Sequence, residues 1–389
     1  MLAALHTATV TAGGPQQLRF QLPEVQIGSF KQLLDSSEYV GLHKAAYHYE
    51  QAANTALDSA RHAALLSEAL SSYFRDLSYG RLAPDVIGYD GVSVNHRRYD
   101  DSILLDRLNT IRNGEDLLQL AKAVECTAPG YIALKSELAG QLLQNNTLKV
   151  KQLQDALNVQ RWIAHFRFTQ YIIVNIAAAT LDYYRNDSLL LHMKVVAGKP
   201  LTPTPRFAAY CNEVVFYPYW NVPRSIAVNE LLPLCRRSPA VLNVLNIQVL
   251  NSSGAVVSPY AINWKGLSKR NFPYRLRQAT GCDNALGVIK FNLTSPYSVY
   301  LHDTNLKSAF ASSERYFSHG CMRIERPVEL AEYFLPGVVD TAYLKACIKA
   351  EKPQVHSLKA PVPVFVVYMP AWPDSTGKVR YYRDVYQLY

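Results

Sequence analysis

The spacing of apolar residues changes near residue 170, and this change divides the chain into two parts of different structure. Between Arg61 and Gly80 apolar residues recur at steps of three and four, the spacing of one helix face, and Gly80 is a stop signal. Similar patterns predict helices over about 116–125, 131–144 and 148–166. From Tyr171 to Ile176 the sequence reads YIIVNI, a short β-branched run that predicts a strand.

Further short apolar runs after residue 176 predict a domain rich in strands. The candidate strands are Thr180 to Tyr184 (as a continuation of the first), Leu189 to Val196, Val214 to Tyr219, Leu286 to Leu293, Ser298 to His302 and Val362 to Met369. The clearest helix is Pro327 to Leu335, with proline at its first position. We therefore expect an α+β fold with a loose segment 1–30, a helical scaffold domain 31–166 and a β-rich domain 167–389.

The segment 223–270 interrupts the strand pattern with short pieces, including a helical-looking stretch from Ala227 to Arg236. A connection of this length within a domain is typical of a functional lid or an inserted subdomain. We expect a lid over the functional site. The alternative is a structural insertion that packs on the scaffold and never closes.

The net charge of +9 and the pI of about 9.1 favour an anionic partner. No basic stripe with interleaved aromatics and no zinc-finger spacing points to nucleic acid, whereas a cell-wall polymer bearing carboxylates fits the charge. A basic surface kept for solubility is the alternative.

No apolar run is long enough to span a membrane. The opening MLAALHTATV lacks the features of a secretory signal, so we interpret the numbered chain as mature or trimmed and leave export open.

The six cysteines show no CxxC pair and no regular spacing, so we expect neither a zinc site nor a cofactor. They are Cys126, Cys211, Cys235, Cys282, Cys321 and Cys347. If Cys321 is a free thiol, five remain, and at least one more is unpaired within a monomer. Most of them are expected to be small buried hydrophobic residues.

One cysteine stands in a pattern that can carry chemistry. Ser318-His319-Gly320-Cys321-Met322-Arg323 follows His302-Asp303-Thr304, with 19 residues from His302 to Cys321. A thiolate nucleophile needs a base or cation to lower its pKa from about 8.5, and imidazole is the usual partner. Gly320 permits torsions that aim backbone amides at a developing oxyanion. Without a wider pattern, however, a buried cysteine beside a surface histidine is commoner than a catalytic pair.

The wider pattern resembles the active-site motif of the YkuD-type L,D-transpeptidases and, over residues 31–370, their YcbB-like branch. The matching stretches are 71–80 (SSYFRDLSYG), 196–205 (VAGKPLTPTP), 216–226 (FYPYWNVPRSI), 272–278 (FPYRLRQ), 284–287 (NALG), 290–291 (KF) and 328–335 (VELAEYFL). The resemblance implies a helical scaffold domain followed by a β-rich catalytic domain with an inserted lid. One departure is clear. The connection from Cys126 to His165 is too short for the peptidoglycan-binding module that many relatives carry there.

The resemblance also implies the roles of individual residues. Cys321 would attack the carbonyl before the terminal D-amino acid of a peptidoglycan stem, and His302, oriented by the Asp303 backbone, would be the general base. Amides near Gly320 and Cys321 would bind the oxyanion, and Arg323 a substrate carboxylate. A second stem peptide would accept the acyl group in a 3→3 cross-link. The resemblance further implies export to the periplasm or cell envelope, and acylation of Cys321 by carbapenem-type inhibitors.

Several roles stay open in the sequence. His319 is a rival base, and it otherwise shapes the pocket or oxyanion site with Ser318. The Asp303 carboxylate can instead cap a turn. Trp220 and Asn221 are candidates for the acyl-donor groove, with a core position as the alternative for Trp220. Arg275 and Arg277 bind stem carboxylates or lie on a solvated strand face.

Three functions remain at this stage. The first is an L,D-transpeptidase, and the second an L,D-carboxypeptidase or L,D-endopeptidase that gives the acyl group to water. The third, a non-catalytic wall-binding protein, is disfavoured because Cys321, His302, Gly320 and Arg323 occur together.

Overall fold

A computed structural model describes residues 24–48, 59–82, 85–92, 104, 107–108, 110–111, 114–348 and 351–389. These residues group into two compact units. The first holds the described residues up to Arg81 and from Arg97 to Phe166, and the second those from Leu82 to His96 and from Arg167 to Tyr389. Most of the segment 1–30 lies outside the described residues, and its last part is already helical from Glu24.

The first unit is helical, as its three- and four-residue spacing predicts. Its α-helices are Glu24–Asp35, Ser59–Tyr79, Gly114–Val124, Pro129–Leu143 and Thr147–Ala164, with 3-10 turns Ser37–Val40 and Lys44–Tyr47. The second of these helices ends at Gly80, whose φ is +79°. A Cβ on Gly80 would lie 2.1 Å from the Asn158 carbonyl oxygen, so the close approach of the two helical segments requires glycine.

The second unit is built on a nine-stranded sheet, which confirms the expected α+β class. Its strands in chain order are β1 Gln170–Asn175, β2 Thr180–Arg185, β3 Ser188–Gly198, β4 Phe207–Phe216, β9 Ile289–Leu293, β10 Leu301–His302, β11 Tyr316–Ser318, β12 Met322–Ile324 and β13 Gln354–Val367. Their spatial order is β11-β3-β12-β10-β9-β4-β13-β1-β2. Helices Pro327–Phe334 and Thr341–Lys345, a 3-10 turn Lys307–Ala311 and a hairpin of β14 Ala371–Pro373 and β15 Val379–Tyr381 complete the unit.

Three strand predictions were wrong in detail. Thr180 to Tyr184 does not continue β1. The chain reverses at Ala179, whose φ is +51°, and β2 returns antiparallel to β1. Strands β4 and β13 begin at Phe207 and Gln354, well before the predicted starts. The two strands are antiparallel, so the first residues of each pair with the last residues of the other despite a mixed sequence. Such pairing depends on partners distant in sequence.

A smaller folded body, the inserted subdomain, occupies residues 220–278 of the second unit. It contains a four-stranded sheet in the order β5 Trp220–Asn221, β8 Arg275–Gln278, β6 Ile247–Leu250, β7 Val256–Val257. One continuous helical run packs on this sheet; it consists of Arg224–Ile226, a π-turn Ala227–Leu231 and Leu232–Arg237. It is followed by helix Ala240–Val244 and by 3-10 turns Pro259–Ala261 and Trp264–Gly266. The subdomain has its own apolar core, so it is more than a loop.

Two of the six cysteines form a disulfide, and the other four are not disulfide-bonded. Cys282 and Cys347 are bonded within the second unit, so the expectation that most cysteines are buried hydrophobic residues was wrong for this pair. It holds for Cys211 and Cys235, where burial raises the thiol pKa to about 12 and about 11. Among the described residues no helix is long and apolar enough to cross a membrane.

Candidate active site

Three neighbouring strands place one cysteine and one histidine on the same face of the large sheet. His302 on β10 is paired with Lys290 on β9 at one side and with Arg323 on β12 at the other. Side chains alternate along a strand and directly paired residues share a face, so Cys321, two positions before Arg323, is directed to the same face as His302. Leu301, just before His302, and Met322, just after Cys321, are paired with each other and fully buried on the opposite face.

These side chains open into one cavity of about 250 Å³. Its walls include most of the residues expected from sequence and several that were not: Trp220, Pro223, Ile226, Ala285, Leu286, Tyr297, Ser298, Val299, Tyr300, His302, Ser318, His319, Cys321 and Arg323. Pro223 and Ile226 belong to the inserted subdomain, so this subdomain forms part of the cavity wall. The cavity is thus bounded by both the nine-stranded sheet and the segment interpreted as a lid.

His302 is buried, and its orientation is fixed by the next residue in the chain. Its Nδ1 is hydrogen-bonded to the Asp303 carbonyl oxygen. Because a carbonyl oxygen can only accept, Nδ1 carries the proton and Nε2 presents its lone pair. Burial lowers the His302 pKa to about 3, with further lowering by the charges of Arg323 and Lys290. The imidazole is therefore neutral and able to accept a proton at ordinary pH.

The Asp303 carboxylate has a different task from the Asp303 carbonyl. Its Oδ2 accepts the Val288 N–H at 3.0 Å, and its Oδ1 forms an ion pair with Lys307. The carboxylate thus caps the turn before β9, whereas the backbone carbonyl contacts His302. A Cβ on Gly287, where φ is +57°, would lie 2.3 Å from the carboxylate, so this turn also depends on glycine.

Cys321 is partly accessible, and its thiol is not ionised by its surroundings. Burial raises the pKa of Cys321, while hydrogen bonds from the Tyr300 backbone and side chain, and the charges of Lys290 and Arg323, lower it. Burial is the largest of these influences. The expectation of a depressed thiol pKa was therefore wrong, because sequence motifs do not reveal desolvation.

Tyr300 and Lys290 are contacts of this site that the motif did not single out. The Lys290 ammonium lies 4.1 Å from the centroid of the Tyr300 ring, and that ring lies 5.6 Å from the His302 ring. Burial lowers the Lys290 pKa and raises the Tyr300 pKa. Strand alternation offered a signal, because Tyr300 stands two residues before His302 and therefore on its face.

The loop before Cys321 is held by hydrogen bonds of the Ser318 hydroxyl group within the loop and by one hydrogen bond from Thr204 of a neighbouring loop. Ser318 Oγ donates to the Cys321 carbonyl at 2.6 Å and accepts the Gly320 N–H at 3.1 Å. Thr204 Oγ1 donates to the Gly320 carbonyl at 2.8 Å. Gly320 has a φ of +115°, which favours glycine. The Gly320 amide is thus occupied, whereas no hydrogen bond among the described residues uses the Cys321 N–H.

His319 faces the inserted subdomain. Its Nε2 lies 2.8 Å from Glu230 Oε1, and its side chain is 39% exposed. This contact engages Nε2 of His319, while Nε2 of His302 has no such partner among the described hydrogen bonds. The geometry therefore leaves His302 Nε2 without a hydrogen-bond partner among the described residues, and gives His319 a contact between the loop before Cys321 and the subdomain.

The remaining candidates separate into one that reaches the cavity and three that do not. Trp220 is half-buried and lines the cavity. Asn221 is exposed and lies outside the cavity wall, because successive side chains of β5 point in opposite directions. Arg277 lies over the Tyr219 ring and donates to Gln248, and Arg275 is exposed. The groove role expected for Asn221 therefore has no support in this geometry.

A partly buried thiol beside a neutral, oriented imidazole is the arrangement used by cysteine acyltransferases. Residues 169–344 match the L,D-transpeptidase catalytic domain (YkuD), and residues 19–138 match the Scaffold domain. The chain therefore joins a scaffold domain to a YkuD-type L,D-transpeptidase catalytic domain, as the resemblance of its motifs predicts.

One relative and two solved structures are similar to parts of the chain. A Haemophilus influenzae protein, whose name marks it as an inferred L,D-transpeptidase, is 35% identical over 232 residues, 59% of this chain and 47% of that protein. The chain thus spans about half the length of this relative. Among solved structures, a Mycobacterium smegmatis L,D-transpeptidase is 15% identical over 51% of this chain and 58% of its own, with a TM-score of 0.25. The ertapenem-acylated catalytic domain from E. faecium is 16% identical over 51% and 96%, also with a TM-score of 0.25.

Proposed function

We propose that the protein is a peptidoglycan L,D-transpeptidase that forms 3→3 cross-links through a thioester on Cys321. The observation that carries the proposal is the shared cavity of Cys321 and His302, with His302 Nδ1 bonded to the Asp303 carbonyl and Nε2 available. His302 lies on β10 and Cys321 directly precedes β12, and the pairing of these two strands positions both side chains.

In the acylation step, Cys321 Sγ attacks the carbonyl carbon before the terminal D-amino acid of the donor stem. The thiol proton passes to His302 Nε2 and then to the departing amine as the carbon–nitrogen bond breaks. Because the thiol pKa is raised at rest, proton removal accompanies the attack instead of preceding it. The developing oxyanion is bound by the Cys321 N–H, since the Gly320 N–H is held by Ser318.

Substrate binding would strengthen the base. Arg323 lines the cavity, and its charge helps to depress the His302 pKa. A stem carboxylate paired with Arg323 would neutralise part of that charge, so the His302 pKa would rise towards its ordinary value as the substrate arrives. Arg323 thereby links recognition of the carboxylate to activation of the thiol.

Transfer to an amine is favoured over hydrolysis by the cavity wall. In the deacylation step the amine of a second stem attacks the thioester, gives its proton to His302 and releases the Cys321 thiol. Trp220, Pro223 and Ile226 from the inserted subdomain present apolar surface beside Cys321 and limit access of water. The hydrolytic functions, L,D-carboxypeptidase and L,D-endopeptidase, would need water at the same position.

A location in the periplasm or cell envelope is part of the proposal. The Cys282–Cys347 disulfide supports it, because disulfides form and persist in oxidising compartments outside the cytosol.

The decisive experiment is mass spectrometry of muropeptides after incubation with a tetrapeptide stem. We expect cross-linked dimer and released D-amino acid from the wild type, and neither from Cys321→Ala, whose fold is checked by circular dichroism. Tripeptide without dimer would select the hydrolase, and activity retained in Cys321→Ala would exclude the mechanism. A carbapenem mass adduct on the wild type tests the activated thiol separately.

A further inference from the structure

The positive charge of the chain is concentrated in the inserted subdomain. From Trp220 to Gln278 there are eight lysines and arginines and one carboxylate, Glu230. The net charge of this segment is therefore +7, compared with +9 for all 389 residues. Seven of the eight cations are exposed. No salt bridge among the described residues joins any of them to a carboxylate, whereas Glu230 is engaged by His319. The subdomain therefore presents unneutralised positive charge to solvent.

Three of these cations border a groove on the subdomain surface. The groove has a volume of about 720 Å³, with Val228, Leu232 and Pro233 on its apolar side. Arg236, at the end of helix Leu232–Arg237, and Lys269 with Arg270, on the opposite loop, supply the charge. An apolar surface between separated cations fits an extended chain that carries both aliphatic groups and carboxylates.

The loop that carries Lys269 and Arg270 is held in place by its backbone. Asn271 N–H donates to Ser268 Oγ at 3.1 Å, and Ser268 N–H donates to the Asn271 carbonyl at 3.0 Å. Arg224 donates to the Lys269 carbonyl at 3.1 Å and to the Phe272 carbonyl at 2.8 Å. The two cations are thus presented from a fixed turn, which lowers the entropy lost on binding.

The groove and the Cys321 cavity share one helical run. Ile226 lines the cavity and Arg236 the groove, and at a rise of about 1.5 Å per residue their positions are about 15 Å apart. Between them, Glu230 contacts His319 beside Cys321. A polymer bound in the groove would therefore be held within reach of the cavity.

We propose that this groove anchors peptidoglycan through the carboxylates of its stem peptides, at a position separate from the acyl-donor pocket. The inference rests on the proposed function for its choice of anionic polymer. The contacts would be charge-assisted hydrogen bonds from the guanidinium and ammonium groups to carboxylates.

The test is co-sedimentation with insoluble peptidoglycan, using the Cys321→Ala protein so that no covalent adduct contributes. The groove variant is Arg236→Gln/Lys269→Gln/Arg270→Gln. The matched control, Lys352→Gln/Lys359→Gln/Lys378→Gln, removes the same three charges from exposed lysines elsewhere in the second unit. We expect about tenfold weaker binding for the groove variant, as for loss of three exposed ion pairs, and less than twofold for the control.

Two further arms separate the possible reasons for failure. Because Arg236 also donates to the Leu267 carbonyl, Lys269→Gln/Arg270→Gln is a second groove variant that keeps this internal bond and should still bind more weakly than the control. Peptidoglycan with amidated carboxylates should bind the unmodified groove as weakly as native peptidoglycan binds the variant. Equal losses in groove and control variants, or equally tight binding of an inorganic polyphosphate, would overturn the proposal. Carbapenem acylation of proteins that retain Cys321 tests the proposed function. Absence of acylation would contradict that function, whereas the co-sedimentation result would still test the groove.

Discussion

Replacing Lys290 by Met should raise the pKa of the Cys321 thiol. The Lys290 ammonium lies over the Tyr300 ring, and both Lys290 and the Tyr300 hydrogen bonds favour the thiolate against the effect of burial. Met keeps much of the side-chain volume and the contact with the ring, but it removes the charge. The substitution therefore isolates the electrostatic contribution of Lys290.

The magnitude follows from the rank of Lys290 among the influences on the thiol. A cation in close contact lowers the pKa of an acidic group by about 1–3 units. Lys290 acts less strongly on the thiol than the Tyr300 hydrogen bonds, so its removal should raise the thiol pKa by an amount at or below the lower end of that range, about 0.5–1 unit. The thiolate fraction at neutral pH should therefore fall about three- to tenfold. The same change raises the His302 pKa from its value of about 3, so the rate of acylation falls less than the thiolate fraction.

The assay is the rate of Cys321 alkylation by iodoacetamide between pH 6 and pH 10, with carbapenem acylation measured in parallel. Lys290→Arg retains the charge and should keep the alkylation profile close to wild type. Tyr300→Phe removes the hydroxyl hydrogen bond but not the ring, and should shift the profile in the same direction as Lys290→Met. An unchanged alkylation profile in Lys290→Met, with the protein folded, would show that Lys290 does not act on the thiol.

Four further expectations concern the base, the turn beside it and the stability of the second unit. His302→Ala should slow carbapenem acylation by about two to four orders of magnitude and His319→Ala by less; the opposite order in stopped-flow measurements would transfer the base role. Gly287→Ala, which forces a left-handed residue against the Asp303 carboxylate, should cost more than about 2 kcal/mol in urea unfolding. The control Gly337→Ala, at φ +77° with open space around its Cβ, should cost only the backbone strain, and equal costs would remove the clash as the cause. Because the His302 pKa is lower in the folded than in the unfolded state, the wild type should lose up to about 1.4 kcal/mol per pH unit, relative to His302→Gln, as pH falls below about 6.5. A flat difference between the two proteins would contradict this. Reduction of the disulfide, which closes 65 residues, should lower the free energy of unfolding by about 4 kcal/mol, measured with and without dithiothreitol, and no change would mean that the bond leaves the unfolded chain unrestrained.

The sequence determined the class of fold and the residues of the motif. Helix periodicity is local, so the helix ending at Gly80 and those after residue 114 could be located from spacing alone. The pairing of His302 with Cys321 was expected from the motif, because two short strands and a return loop fit the interval between them. Helix periodicity and motif spacing involve residues close together in the chain, so the sequence alone reveals them.

Only the tertiary structure decided which groups face the thiol and how they are charged. Strand register brought Lys290 beside His302, a contact that joins two strands with no fixed spacing in sequence. Burial, which depends on every neighbour at once, reversed the expected direction of the Cys321 pKa and fixed His302 as neutral. The disulfide and the internal sheet of the inserted subdomain were equally hidden, because each joins segments far apart in the chain. The physical reason is common to all of them: long-range pairing and desolvation are properties of the packed chain, and a linear pattern records neither.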